Sequence, residues 1–223
     1  KKNAKARVRL LEALKESRTI SKNLVTEKLN ISESTLKTMV MIGDIVIESE
    51  SDYRNPIKPV EQRKYNIVLN DQQQKVADEI KKTITFEKNQ APNIHLIHGI
   101  TGSGKTEVYM DLIDYTVNKG KSVIVLIPEI ALTYQTVMRF TRRFGDKVSI
   151  INSKLSKGER YDQFERAKNN DINIMIGPRS ALFTPFKNLG LIVIDEEHED
   201  AYKSESVPKY HAVEVAIKRA KDE

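Results

Sequence analysis

The sequence contains no cysteine, which excludes disulfides and any cysteine-ligated zinc site within these 223 residues. No apolar run approaches the roughly 18 residues that a membrane-spanning helix needs. The basic start KKNAKARVRL lacks the apolar segment of a secretory signal. Internal repeats and low-complexity tracts are also missing. Hydrophobic residues make up 39% and charged residues 30%, a balance that excludes a disordered chain and predicts a soluble one. These properties fit a cytosolic protein with no membrane partner. The first residue is not Met, and the final YHAVEVAIKRAKDE still carries an apolar period, so the sequence reads as a piece of a longer protein.

What is present divides in two. Residues 1–65 hold 14 Lys and Arg against 9 Asp and Glu, a net of +5, whereas residues 66–223 hold 23 against 22. A basic small segment joined to a near-neutral large one suggests a polyanion partner for the first, although a normally solvated surface would show the same count. Within residues 1–55 the spacing predicts three short helices and a ribbon. Ala4, Val8, Leu11 and Leu14 fall on one helical face, and Ser21 caps a second helix with Leu24, Val25 and Leu29. Ser32 caps a third, with Leu36, Met39 and Val40. Gly43 ends it, and DIVIESESDYR alternates like a two-stranded wing. This is the order of a small winged-helix domain, whose third helix would present Thr35, Lys37 and Thr38 to a DNA groove. Winged helices also act as docking or spacer modules, and this helix is only thinly basic. The prolines of RNPIKP mark a linker over 56–66.

From residue 67 to 223 the pattern changes to apolar runs, NIHLIH, SVIVLIP, KVSII, INIMIG and GLIVID. They alternate with helical stretches near 74–84, 104–118, 130–144 and 158–169. Continuous apolar strands separated by helices predict an α/β fold, a parallel sheet with helices on both faces.

GITGSGKT, residues 99–106, fits G-x-x-x-x-G-K-[ST] at each fixed position between an expected strand (93–98) and an expected helix. Gly99, Gly102 and Gly104 let the backbone wrap closely around phosphates, and the Ser103 amide belongs to the same loop. The helix N-terminus adds partial positive charge. Lys105 would reach the β- and γ-phosphates, and the Thr106 hydroxyl would ligate Mg²⁺. LIVIDEEHEDAY then brings four apolar residues into five carboxylates and a histidine. Asp195, at the end of an apolar strand, suits the second Mg²⁺ position, and Glu196 suits the base for an attacking water. A metal cage of local acids is less suitable because neighbours on a strand end point apart. His198 lacks a second His or Cys at zinc-ligand spacing. Upstream, LNDQQQ places Gln73 where its amide could read the adenine edge, although three glutamines could equally be a solvated helix face.

LIHGITGSGKTEVYM, LIPEIALTYQ, SKLSKGER, IGPRSALFTPF, IVIDEEHEDAYK and PKYHAVEVAIKRA together resemble superfamily II helicases, and among them the PriA family of primosomal replication-restart helicases (primosomal protein N′). The resemblance covers nearly all of 67–223 and implies a RecA-like, P-loop NTPase lobe behind a winged helix. It implies a 3′→5′ DNA helicase using ATP and Mg²⁺, cytoplasmic and nucleoid-associated in a bacterium, with single-stranded and forked DNA, primosome proteins and single-strand binding protein as partners. It places Gln73 on adenine, and Thr133, Arg179 and Ser180 on the DNA backbone. Tyr202, Lys203, Tyr210 and His211 fall in an aromatic-rich, DNA-sensing loop, although the two tyrosines could merely pack it. Glu197 and His198 would couple γ-phosphate to that loop, and Glu199 and Asp200 would begin its solvated part. The family's second lobe, with its arginine finger and cysteine-rich zinc insertion, has no counterpart in these residues, nor has its DNA 3′-end-binding domain. This implies that the piece alone hydrolyses ATP very poorly. Two departures stand out: Pro178 replaces the family's Thr before Arg179, and Asn152 replaces a His before Ser153.

Overall fold

A computed structural model describes residues 2–17, 20, 25–26, 29–47, 56, 68–86 and 91–223. The chain divides into two compact units, Lys1–Asp52 and Tyr53–Glu223. Most of the expected linker, residues 57–66, lies outside the described residues.

The first unit contains α1 (Lys2–Ser17) and α2 (Glu33–Met41), with Val25 and Thr26 also helical between them. Its core gathers Ala6, Leu10, Val25, Ile31, Leu36 and Met39. Leu11 and Leu14 of the expected α1 face pack partly buried against this core. Val8 does not: it is 53% exposed, because it lies two residues from both Ala6 and Leu10, about 200° around the helix. Ser32 caps α2 as expected, accepting from the Thr35 amide. Thr35 itself is only 5% exposed and does not face outward: it shares the inward stripe of Leu36 and Met39, and its hydroxyl meets Ser32 Oγ at 2.9 Å. Lys37 and Thr38 are exposed. Residues 45–47 carry no ladder, and the rest of the expected wing, like most of the second helix, lies outside the described residues.

The second unit opens with α3 (Asp71–Thr83) and α4 (Lys105–Asn118). It continues with β1 (Ser122–Leu126), α5 (Tyr134–Phe144), β2 (Val148–Ile150) and α6 (Lys157–Lys168). It ends with β3 (Ile174–Gly177), β4 (Leu189–Ile194) and α7 (Ala212–Asp222). The four strands are parallel in the order β2-β3-β1-β4. Strand alternation sorts the side chains onto two cores. Val123, Val125, Ile127, Ile174 and Ile176 pack with Tyr109, Ile113 and Phe140 of α4 and α5. Ile124, Leu126 and Met175 pack with Ala167, Leu182, Tyr202 and Ala216 on the opposite face. Coverage on both faces explains why the strands read as unbroken apolar runs, and the arrangement is that of a RecA-like helicase lobe.

One expected strand is absent. Residues 93–98 form no ladder, and Leu96 is 74% exposed. The segment is tied instead to the end of α3: Asn93 Nδ2 donates to the Thr83 carbonyl at 2.5 Å, and His95 Nε2 meets Thr83 Oγ1 at 2.7 Å. Ile97 packs against the cluster of Ala77, Ile80, Val108 and Leu112 that joins α3 to α4. Polar side chains at 93 and 95 find partners on the helix, so these contacts compete with sheet pairing.

Candidate functional site

The loops that follow β1, β3 and β4 carry the candidate residues to the carboxyl ends of the strands, where ligands bind in open α/β sheets. The phosphate loop itself precedes α4. Gly102 and Gly104 adopt φ of +81° and +84°, a left-handed conformation that an L side chain adopts only with strain. Gly104 is doubly constrained, since a Cβ there would stand 2.1 Å from Gln73 Nε2. At Gly99 a Cβ would meet Ser103 Oγ at 2.7 Å. Lys105 Nζ curls back onto its own loop, donating to the carbonyls of Gly99 (2.7 Å) and Ile100 (3.2 Å).

Gln73 does two jobs. Its Oε1 accepts from the Asn70 amide while Asn70 Oδ1 accepts from the Gln73 amide, a reciprocal cap on α3. Its Nε2 donates to the Ser103 carbonyl at 3.0 Å, tying the expected adenine reader to the phosphate loop.

Asp195 extends the β4 ladder through its amide, which donates to the Leu126 carbonyl. Its carboxylate receives two donors, Tyr109 Oη on Oδ2 and the Glu196 amide on Oδ1, both at 3.1 Å. Partial burial nevertheless holds the Asp195 carboxyl above the ordinary aspartate range; the Tyr109 bond works against that shift. Glu196 sits in the left-handed region at φ +49°, the type of backbone strain concentrated at functional sites. The turn over 195–198 leaves Glu196, Glu197 and His198 exposed, with His198 Nε2 3.8 Å from Glu196 Oε2.

The DNA-facing expectations separate. Thr133 is exposed and caps α5, its hydroxyl accepting from the Thr136 amide. Arg179 Nη1 donates to the carbonyls of Ala201 (2.8 Å) and Lys203 (3.0 Å), so this arginine holds the loop over 200–203 in place. Pro178 does not disturb the turn that follows, because its carbonyl still accepts from the Ala181 amide at 2.8 Å. Ser180 is half-buried and Lys203 exposed. Tyr210 is half-buried, edge-on to the exposed Phe183. His211 caps α7, with Nδ1 accepting from the Val213 amide.

Tyr202 is not a stacking surface. It is 0% exposed, and its hydroxyl shares its one proton between the carbonyls of Asp195 (2.5 Å) and Leu126 (3.0 Å). A large aromatic ring on the buried face of a strand-end turn stays in the core when its hydroxyl finds partners there.

Two further residues belong to the site. Tyr109 is 5% exposed in the second turn of α4, and its signal was its place in TEVY, three residues after Thr106 and hence on the same helical face. Burial and the neighbouring Asp195 carboxylate push its phenol well above the usual tyrosine value. Glu129 Oε1 accepts from the Ser153 amide at 2.8 Å, joining the PEIALT loop to the segment after β2. The Ser153 hydroxyl and amide hold Glu129 below the ordinary glutamate value. Asn152 Oδ1 accepts from the amides of Lys154 and Leu155, forming the turn itself.

Comparison with known proteins agrees with the fold. Residues 66–221 match the family model described as type III restriction enzyme, res subunit. The chain is 44% identical over 195 residues to replication restart protein PriA of Bacillus subtilis (strain 168), covering 87% of this chain and 24% of that protein. It is 40% identical over 222 residues to replication restart protein PriA of Chlamydia trachomatis, covering 95% and 28%. With PriA of Synechocystis it shares 52% identity over 126 residues, 56% of this chain and 15% of the relative. The chain thus spans about a quarter or less of the length of these relatives. On the family match and the fold together, the chain belongs to the type III restriction enzyme res-subunit family of superfamily II helicases.

Proposed function

We propose that the chain is the ATP-binding lobe, with a preceding winged-helix module, of a 3′→5′ DNA helicase that restarts replication at stalled forks. The reading is carried by the approach of the phosphate loop and the β4 carboxylate at one end of the sheet, where Tyr109 connects α4 to Asp195. The donor set suits a magnesium nucleotide: two glycines in the left-handed conformation, a lysine poised over the loop, a threonine hydroxyl and a half-buried carboxylate. Lys105 exchanges its loop carbonyls for the β- and γ-phosphates. Thr106 and Asp195 hold Mg²⁺, which supplies charge neutralisation at the phosphates when bound. Glu196 orients and deprotonates the attacking water, and Glu197 and His198 relay the state of the γ-phosphate. Gln73 reads adenine with the amide hydrogen and lone pair that its two internal bonds leave over.

DNA runs past Thr133, Ser180, Lys203 and Tyr210 through backbone and stacking contacts, independent of sequence. Arg179 shapes that surface by anchoring residues 201 and 203. The similarity to replication restart proteins supports DNA and replication-restart proteins as partners of the whole protein; forked DNA, primosome proteins, single-strand binding protein and a place in the bacterial cytoplasm at the nucleoid are the finer reading proposed here. Among the described residues no helix is long and apolar enough to cross a membrane.

Fluorescent mant-ATP and mant-ADP binding, together with ATP turnover with and without single-stranded DNA, tests the reading. The chain binds nucleotide with Mg²⁺, and Lys105→Ala abolishes that binding. Turnover stays very slow, because an arginine from a second lobe is worth roughly 10³–10⁵ in comparable NTPases. Equal binding by Lys105→Ala, or brisk DNA-stimulated hydrolysis by this chain, refutes it.

A further inference from the structure

Resting on that reading, we propose that Tyr109 is the positioning residue for Asp195, its single hydroxyl setting the orientation in which that carboxylate meets Mg²⁺. A phenol carries one proton and two acceptor sites. The Tyr109 proton is given to Asp195 Oδ2 at 3.1 Å. One hydroxyl on the helix that follows the glycine-rich loop therefore reaches a strand-end carboxylate 86 residues away in the chain.

Thr106 and Tyr109 lie three apart in α4, which places them on neighbouring turns of one face. The ring is locked by its surroundings: it is almost wholly buried and stacks on Phe140 with centroids 6.5 Å apart and planes 19° from parallel. A rigid ring gives its hydroxyl little freedom, so the carboxylate bonded to it is held as well. The remaining Asp195 oxygen is fixed by the Glu196 amide at 3.1 Å. Both carboxylate oxygens are thus oriented by the protein, and the lone pairs not used in these bonds remain for a cation. Partners of this type tune metal ligands without touching the metal, and their removal commonly costs 10–100-fold in affinity.

The test is Tyr109→Phe, which keeps the ring and removes the hydroxyl. Binding of mant-ADP is measured in EDTA and across a Mg²⁺ titration. We expect metal-free binding unchanged and the Mg²⁺ concentration at half-effect raised roughly tenfold. Phe140→Leu, which loosens the ring but keeps the hydroxyl, should lower thermal stability and raise the Mg²⁺ midpoint by less than Tyr109→Phe does; an equal or larger rise overturns the assignment to the hydroxyl. An unchanged midpoint in Tyr109→Phe, or parallel losses with and without Mg²⁺, overturns the proposal. If Tyr109→Phe does not fold, the wild-type chain is labelled with 3-fluorotyrosine. The resonance most broadened by Mn²⁺ and ADP then shifts when Mg²⁺ is added to the ADP complex, and no shift overturns the proposal. A wild-type chain that binds no mant-ADP under any condition refutes the nucleotide-lobe reading itself, which separates the two failures.

Discussion

Replacing Gly104 by Ala probes the junction between the adenine-reading turn and the phosphate loop. Two costs arise, and they separate. The first is conformational: φ is +84° at this position, and an alanine in the left-handed region costs about 1–2 kcal/mol. The second is steric: the new methyl would stand 2.1 Å from Gln73 Nε2, so the amide must move. Gln73 then gives up its bonds to the Ser103 carbonyl and the Asn70 amide, worth about 0.5–1 kcal/mol each at this solvated position. The total is about 2–4 kcal/mol. Gln73→Ala alone forfeits the same two bonds, about 1–2 kcal/mol, while Asn70 Oδ1 keeps its bond to the residue 73 amide. In the Gln73→Ala background the methyl has no amide to displace, and Gly104→Ala costs only the conformational part. The double-mutant cycle therefore predicts a coupling of about 1–2 kcal/mol. Since the chain has two compact units, a single denaturation curve need not be two-state. Amide hydrogen exchange at the buried residues of α4, such as Val108, Leu112 and Ile113, reads the relevant unit. Additivity of the two substitutions within about 0.5 kcal/mol would refute the reasoning.

Tyr202→Phe removes the donor from the Asp195 and Leu126 carbonyls. It should destabilise the larger unit by about 1–2 kcal/mol, read from hydrogen exchange at the same buried α4 amides, because the Leu126 carbonyl keeps its bond from the Asp195 amide; a loss under about 0.3 kcal/mol contradicts the burial argument. Glu129 has a folded pKa below its unfolded value, so its tie to Ser153 is intact above the ordinary glutamate range, about 4.3, and is lost as pH falls through the lowered folded value. The Ser153 amide resonance should titrate with a midpoint below that range and become pH-independent in Glu129→Gln; a midpoint at the ordinary value refutes the tie.

Much of the site was legible because local chemistry dictates local form. The loop over 99–106 needs its glycines wherever it sits, Ser32 caps the helix that follows it, and the apolar runs of β1, β3 and β4 mark doubly covered strands. Periodicity cannot distinguish a strand from an extended segment whose polar residues are taken elsewhere. Residues 93–98 illustrate this, since Thr83 claims Asn93 and His95. Nor does residue type reveal burial: Tyr202 has the chemistry of a stacking residue and the position of a core residue.

The sequence alone singled out the candidates for phosphate and metal chemistry, because Lys105, Thr106 and Asp195 belong to motifs whose spacing is set by backbone geometry within a few residues. Only the tertiary structure decided how those motifs are held. Tyr109 reaches Asp195 across 86 residues, Glu129 reaches Ser153 across 24, and Arg179 grips carbonyls 22 and 24 residues away. Such contacts follow from strand order and side-chain facing, which no local spacing encodes. The stretch IVIDEEHEDAY shows the division most clearly: its carboxylates announced a nucleotide site, while its last tyrosine took its place from the fold.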